Sequence, residues 1–549
     1  MKGPASVSGG WLAVGVTALA LLAVLGGCAP GPRPRPAGEP PAVGGAVADP
    51  GPSWPELGAI TSAAGEPEYP DTPGPEWPDL EATLPPRPAA ARPAPPLIRI
   101  GLADGVPRAM LSCSGGAWLL DGDGATRLAR LDAGARAELF AAGRGVRWQA
   151  GGTAGHADAV ILRADAAADV VVWGKARYRG ALVGRGRPGG LLMINAVDLE
   201  EYLRGVVPGE IGRLGPQAAA ALEAQAIAAR TYTIFHRGQH ADLGFDLWGD
   251  IRDQLYEGLA GEDATCDAAI ARTAGLVLRY GDREIEAYYS STCGGRTAAC
   301  AEVWPREGRP YLRGGRDAPR DGANSFCAAA PRFAWREQWS VGDLERILQR
   351  TLPEYVNDMG DPRRAAWAGA VFTPRVGGAG PSRPGRLLGL AVRARTTCGR
   401  VAQLEVTTDA GVYHVRGDRV RSALRLSGNR GSLWSALFRL HIETGRDGRP
   451  RQIAAYGRGF GHGVGMCQTG AIGMSRRGFT AGQILAHYYP GAELAPLPAI
   501  AADTASGAAH PCVAPDVPPG AARASGSGAL PLPRRRWPVG WWSVWPAPA

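Results

Sequence analysis

Asp198-Leu-Glu-Glu-Tyr-Leu-Arg-Gly-Val-Val-Pro-Gly-Glu210, then Pro216 and the Ala-rich run Ala224-Gln-Ala-Ile-Ala-Ala-Arg230-Thr-Tyr232 leading to His236, is the stretch that decides how this chain folds. Pro208 and Gly209 are expected to end a helix begun at Asp198, and Pro216 suits the first turn of a second helix reaching about Phe235. On this reading Glu210 sits in a turn between two helices, held by scaffold and open to a cleft. The second helix sets Leu222, Ala226, Ala229 and Thr233 along one stripe, with Glu223 and Arg237 able to face water.

Upstream, short apolar runs such as Leu97-Ile-Arg-Ile, Val170-Val-Val-Trp173 and Leu191-Leu-Met-Ile-Asn195, separated by Gly or charged turns, predict a strand-rich part over residues 97–196. Downstream of the helix pair, Asp246 to Gly258 reads as a loop, and a short helix ends at Gly275. Leu276 to Tyr289 forms a predicted hairpin whose second strand delivers the polar loop Ser290-Ser-Thr-Cys-Gly-Gly-Arg296. Residues 197–300 thus hold the central helices and a loop, and 301–497 a C-terminal lobe. Within that lobe Trp304 to Ser382 is irregular apart from a helix over Val341 to Leu352, with Gly377 to Gly385 as an insertion loop. Strands return at Leu387, Val401 and Val412, followed by the Gly-rich Gly457-Arg-Gly-Phe-Gly-His462-Gly-Val-Gly-Met and a capping box at Thr480 to Gln483. Strands and helices do not alternate regularly, so the expected class is α+β, mixed and strand-rich, and a doubly wound parallel sheet is excluded.

The 549 residues include 47 Pro and 79 Gly, unevenly spread, so much of the length reads as linker. The apolar run Trp11 to Val24 ahead of Leu25-Gly26-Gly27-Cys28 has the form of a bacterial lipobox, which makes residues 1–28 a signal segment and Cys28 the lipidation site. An ordinary secretory signal or an anchor helix are the alternatives, the run being short for a bilayer span. The lipobox reading places the chain outside the cytoplasm, in the periplasm or cell envelope, as a membrane-anchored lipoprotein. Residues 29–96 and 498–549 are Pro-rich and without apolar periodicity, a disordered tether and tail. The charge of +9 suits anionic surfaces such as wall polymers or headgroups, and no basic helix or aromatic-basic alternation points to nucleic acid.

Apart from Cys28 the cysteines are even in number, and some are expected to be disulfide-bonded, Cys293 with Cys327 or Cys300 being the local pairing to test. Taken singly, Glu210 and His462 are ordinary turn and loop residues, and Ser290 and Ser291 lack the setting of a nucleophile.

Five separated motifs change that reading. Asp198 to Leu203 with Val206-Val-Pro-Gly-Glu210, Ala224 to Tyr232, Gln254-Leu-Tyr256, Ala287-Tyr-Tyr-Ser-Ser-Thr-Cys-Gly-Gly295 and Gly457 to Met466 together resemble the SpoIID/LytB family, in the family's order, over about Leu97 to Leu497. The resemblance implies a peptidoglycan-directed protein with a glycan-binding cleft. Some members are lytic transglycosylases acting on glycan strands stripped of stem peptides, and others are amidase enhancers, which would make an N-acetylmuramoyl-L-alanine amidase the partner. It further implies Glu210 as the catalytic acid, with Arg230, Gln254, Tyr256, Ser290, Ser291 and His462 as candidates for gripping sugar. Structural roles compete for two of these: Arg230 as an ion pair with Glu223 or Glu200, and Tyr256 as a core aromatic. Some members bind zinc through a His-Cys pair just before the Gln. Here Arg252-Asp253 stands in that place, so no metal and no cofactor is expected.

Overall fold

A computed structural model describes residues 95–304, 306–319, 324–357, 370–374 and 380–498. The lipobox, the tether up to residue 94 and the tail beyond residue 498 fall outside these residues, as does the first part of the Gly377 to Gly385 loop.

Asp198 joins sheet to helix. It closes an antiparallel pairing in which Leu97–Val106 runs beside Gly190–Asp198, Leu97 facing Asp198 across the ladder. Its carboxylate then accepts the Glu200 N–H at 2.8 Å, capping helix α1, Leu199–Ile211. These two strands lie in a seven-stranded sheet that also contains Ala181–Arg187 and Ala159–Ala164. A six-stranded sheet including Arg108–Cys113 and Arg136–Ala142 shares its core, with Ile98, Leu111, Leu139, Leu162 and Leu182 buried together. The fold is therefore α+β and strand-rich, with the helices gathered after the twelfth strand.

Helix α1 does not stop at Pro208. Proline forfeits one N–H bond, but near a C-terminus that loss is small, and Gly212 closes the turn by donating to the Pro208 carbonyl at 3.0 Å. The Gly205 carbonyl is taken by the Glu257 N–H at 3.2 Å. Glu210 consequently belongs to the last turn of α1 and not to a free loop.

Helix α2, Ala219–His236, follows a 3-10 turn at Pro216–Ala218. It is buried on all sides: from Ala221 through Thr233 only Glu223 keeps appreciable exposure, and Glu223 pairs with Arg272 at 2.6 Å. Its alanines let neighbours approach closely, among them helix α3, Ala264–Arg272. The predicted hairpin is short: Arg279 and Tyr280 of the strand Leu276–Tyr280 pair with Glu284 and Arg283, while Leu276 to Arg279 pair on the strand's other edge with Glu493–Pro496, and the chain then turns to lay Tyr289–Ser290 parallel to Met466–Cys467.

After the one-turn helix α4, Cys300–Val303, residues 334–458 build a second core of their own. Ala334–Ser340 pairs with Pro450–Arg458, burying Trp335, Glu337 and Trp339 and turning the alternate residues out. Helix α5, Val341–Asn357, buries Leu344, Ile347, Leu348 and Leu352 in that core, and helix α6, Arg419–Leu424, adds Val420 and Leu424. The chain rejoins the first body where Phe460 bridges Thr292, then forms helix α7, Gln468–Ser475, and helix α8, Ala481–Tyr488, the latter opened by the expected capping box.

Candidate active site around Glu210

Glu210 keeps part of its residue surface open while its carboxylate is packed among protein atoms. Loss of solvation is the largest influence on it and lifts its pKa to about 7, against the opposing effects of hydrogen bonds from the Leu255 N–H and the Gln468 side chain. The Leu255 N–H lies 2.9 Å from Oε1. Burial and these two hydrogen bonds account for the shift without a charged neighbour. A carboxyl of this kind holds its proton near neutrality and can also give it away there.

The sequence brings two distant segments to this carboxylate. Gly205 and Gly209 leave room on α1 for the loop 254–258, and a Cβ at Gly205 would stand 2.6 Å from the Tyr256 ring. Gln468 opens α7 directly after Cys467, and its Nε2 donates to Gln225 Oε1 at 3.3 Å. Neither Leu255 nor Gln468 was expected at the site, although Gln468 directly follows the Gly457 to Met466 motif and Cys467.

Three of the expected sugar-gripping residues lie in the interior. Arg230 has no exposed surface, and its guanidinium is spent on Glu200 at 2.8 and 2.7 Å and on the Leu276 carbonyl at 3.1 Å. Gln254 accepts from Thr233 at 2.8 Å and Tyr202 at 3.2 Å and donates to Tyr289 Oη at 2.9 Å and the Ala229 carbonyl at 3.3 Å. The Tyr256 hydroxyl donates to Asn195 at 2.8 Å. With their polar atoms so engaged, Gln254 and Tyr256 brace the loop that carries the Leu255 N–H, while Arg230 ties α1 to α2 and to the Leu276 strand.

Ser290, Ser291 and His462 form a separate group. The Gly457 motif runs back along the Ser290 strand, Ser290 Oγ accepting the Gly463 N–H at 3.1 Å. Gly465 must be glycine here, with φ at 69° and no room for a Cβ, which would run into the Tyr288 carbonyl. Ser291 receives Thr469 on its carbonyl at 3.0 Å, leaving its side chain half-buried beside Thr292. His462 accepts the Val464 N–H on Nδ1 at 3.1 Å, and burial pushes its pKa down to about 4, so it is neutral at pH 7. Its ring stands 5.1 Å from Trp304 and 6.1 Å from Tyr288, an aromatic grouping the motifs did not announce. A small hollow of about 10 Å³ borders His462 together with Arg400 and Asp418, and Glu210 does not line it.

Where a zinc-binding His-Cys pair would stand, Arg252 pairs with Asp250 at 2.6 Å and lies over the Trp248 ring at 3.5 Å. Asp253 accepts the Trp248 N–H at 2.8 Å. These side chains do not make a zinc-binding set. The expected disulfide is also absent, since the seven described cysteines are buried and unbonded, Cys293 and Cys327 lying 3.6 Å apart.

A family model described as stage II sporulation protein matches residues 187–280, and a domain of unknown function matches residues 378–465. An amidase enhancer of Bacillus subtilis is 28% identical over 305 residues, covering 53% of this chain and 40% of that protein. A stage II sporulation protein D of the same organism is 26% identical over 317 residues, covering 55% and 75%. An uncharacterized protein of Brachyspira hyodysenteriae is 26% identical over 306 residues, covering 55% and 68%. The first family match takes in Glu210, Arg230, Gln254 and Tyr256, and the second takes in His462.

Proposed function

The chain belongs to the SpoIID/LytB family, and we propose that it is a peptidoglycan lytic transglycosylase acting on denuded glycan with Glu210 as its general acid and base. The observation that carries this reading is the Glu210 carboxyl packed among protein atoms at the end of α1, with the Leu255 N–H 2.9 Å from Oε1, burial lifting its pKa to about 7. Cleavage between MurNAc and GlcNAc requires a proton on the leaving O4 as the C1–O4 bond breaks. Glu210 supplies it. The C6 hydroxyl of the same MurNAc then closes on C1, and its proton returns to Glu210, now a carboxylate stabilised by the Leu255 N–H and Gln468. No water is consumed, one carboxyl serves both steps, and the product ends in 1,6-anhydroMurNAc. His462, neutral and beside Trp304, together with Ser291, is suited to holding sugar hydroxyls and ring faces further along the strand.

The same reading puts the protein outside the cytoplasm, tethered through Cys28. Among the described residues no helix is long and apolar enough to cross a membrane.

The name of the 28% identical relative favours a second reading, a glycan-binding protein that stimulates an N-acetylmuramoyl-L-alanine amidase without cutting glycan itself. Purified protein on amidase-treated peptidoglycan separates the two. Shortening of the glycan without any amidase present supports the transglycosylase. Binding without shortening, together with faster release of stem peptides from intact wall when an amidase is added, supports the enhancer.

A further inference from the structure

Cys293, Asp317, Cys327 and Cys467 come from four separate segments of the chain, and all four are buried. Their sulfur and carboxylate atoms lie within 4.8 Å of one another, with Cys293 Sγ 3.6 Å from Cys327 Sγ and 3.0 Å from Asp317 Oδ2. A tetrahedral zinc with bonds of about 2.3 Å to sulfur and about 2.1 Å to oxygen spaces its sulfurs about 3.8 Å apart, and sulfur from oxygen about 3.6 Å apart. The Cys293 to Cys327 separation is close to the sulfur edge, the Cys293 to Asp317 separation is shorter than the mixed edge, and no pair in the group exceeds 4.8 Å. A disulfide is the rival, but it requires sulfurs about 2 Å apart and would leave a third thiol and a buried carboxylate unused.

We propose that these four side chains bind one zinc ion, which clamps the Ser290 strand to the start of α7. The surroundings suit a cation held by thiolates. Cys467 Sγ accepts two main-chain N–H groups, from Cys293 at 3.1 Å and Gly470 at 3.3 Å. The other carboxylate oxygen of Asp317 accepts the Tyr488 hydroxyl at 2.8 Å and lies 3.4 Å from His487 Nε2, which fixes the orientation of the carboxylate. Arg400, 2% exposed, donates to the Cys293 carbonyl at 2.8 Å and places a positive charge against an otherwise anionic cluster. Each set of contacts satisfies part of the charge that three thiolates and a carboxylate would leave around a divalent ion.

The consequence reaches Glu210 through the backbone. Cys467 immediately precedes Gln468, whose side chain bonds Glu210, and Cys293 follows the Ser290–Thr292 strand and loop. The ion would act as a structural clamp, since all four coordination positions are filled by protein. This proposal stands whether or not the protein cuts glycan. The ligands are far apart in the sequence, so their spacing alone did not reveal them.

The test is elemental analysis of the full chain purified without added metal, with thiols and disulfides mapped by peptide mass spectrometry. About one zinc per chain is expected, released by a thiol-directed mercurial, with Cys293, Cys327 and Cys467 all recovered as thiols. Cys467→Ser should reduce bound zinc about tenfold or more, while Cys113→Ser, a buried cysteine outside the four-residue group, should retain it. As a measurement independent of the folding of Cys467→Ser, cobalt is also exchanged into the unaltered protein. Thiolate-to-cobalt charge-transfer absorption with a tetrahedral visible spectrum is expected. Less than about a tenth of a metal ion per chain, a Cys293 to Cys327 disulfide, or a cobalt spectrum without thiolate bands would overturn the proposal.

Discussion

The main-chain N–H of Leu255 donates to Glu210 Oε1 at 2.9 Å, tying the loop after Asp246 to the final turn of α1. That bond favours the ionised carboxyl, and burial outweighs it, so the group titrates near the pH at which it must both give and take a proton.

A pH profile follows from this. With the Glu210 pKa at about 7, glycan cleavage should proceed at lower pH and fall about tenfold per unit on the alkaline side. Initial rates measured between pH 5 and 9 check it. A rate that stays level to pH 9 would rule Glu210 out as the proton donor.

Stability should respond to the same group with a defined sign. The folded pKa of Glu210 lies above its ordinary value of 4.5, so the native chain keeps a proton that the unfolded chain releases. Stability is therefore lost as pH rises from about 4.5 to about 7, by up to about 3 kcal/mol, and the loss persists above that window. Glu210→Gln keeps an acceptor for the Leu255 N–H and removes the titration. Denaturation midpoints should show the variant more stable than the parent at pH 8 and nearly equal to it at pH 4.

Arg230 should prove a stability residue. Arg230→Ala takes both guanidinium bonds from the Glu200 carboxylate, which keeps the Gly275 N–H at 3.0 Å, and removes a buried guanidinium, costing about 3 kcal/mol. Urea unfolding measures this. A variant that unfolds at the parent's midpoint but needs far more glycan for half-maximal rate would instead give Arg230 a place on the substrate.

Gly205→Ala probes the support of the site without touching its polar atoms. The added methyl meets the Tyr256 ring at 2.6 Å and must move the loop that carries Leu255. A cost of about 1–3 kcal/mol and a lower Glu210 pKa, read as an acid shift of the alkaline limb, are expected.

Much of this site could be read in the sequence, and the omissions have physical causes. The helix pair, the capping box at Thr480 and the strands before Asp198 follow from local pattern, and local pattern governs them in the structure. The Pro208-Gly209 rule failed because proline costs little in a helix's last turns, where only the one bond to the Arg204 carbonyl is forgone and Gly212 still closes the turn on the Pro208 carbonyl. The strand Ala334–Ser340 escaped notice because Arg336, Glu337 and Gln338 mask the two-residue alternation of Trp335 and Trp339. Arg230, Gln254 and Tyr256 each contact α1, through Glu200 or Tyr202. Their burial, which depends on α2 being enclosed all round, is a tertiary property that the apolar stripe did not convey.

The most direct measurement is mass spectrometry of the glycan ends released from amidase-treated peptidoglycan by the unaltered protein and by Glu210→Gln. The account predicts 1,6-anhydroMurNAc ends, one water lighter than the hydrolysed form, from the former, and at least about a hundredfold fewer from the latter. No anhydro ends from the unaltered protein, or as many from Glu210→Gln, would contradict it.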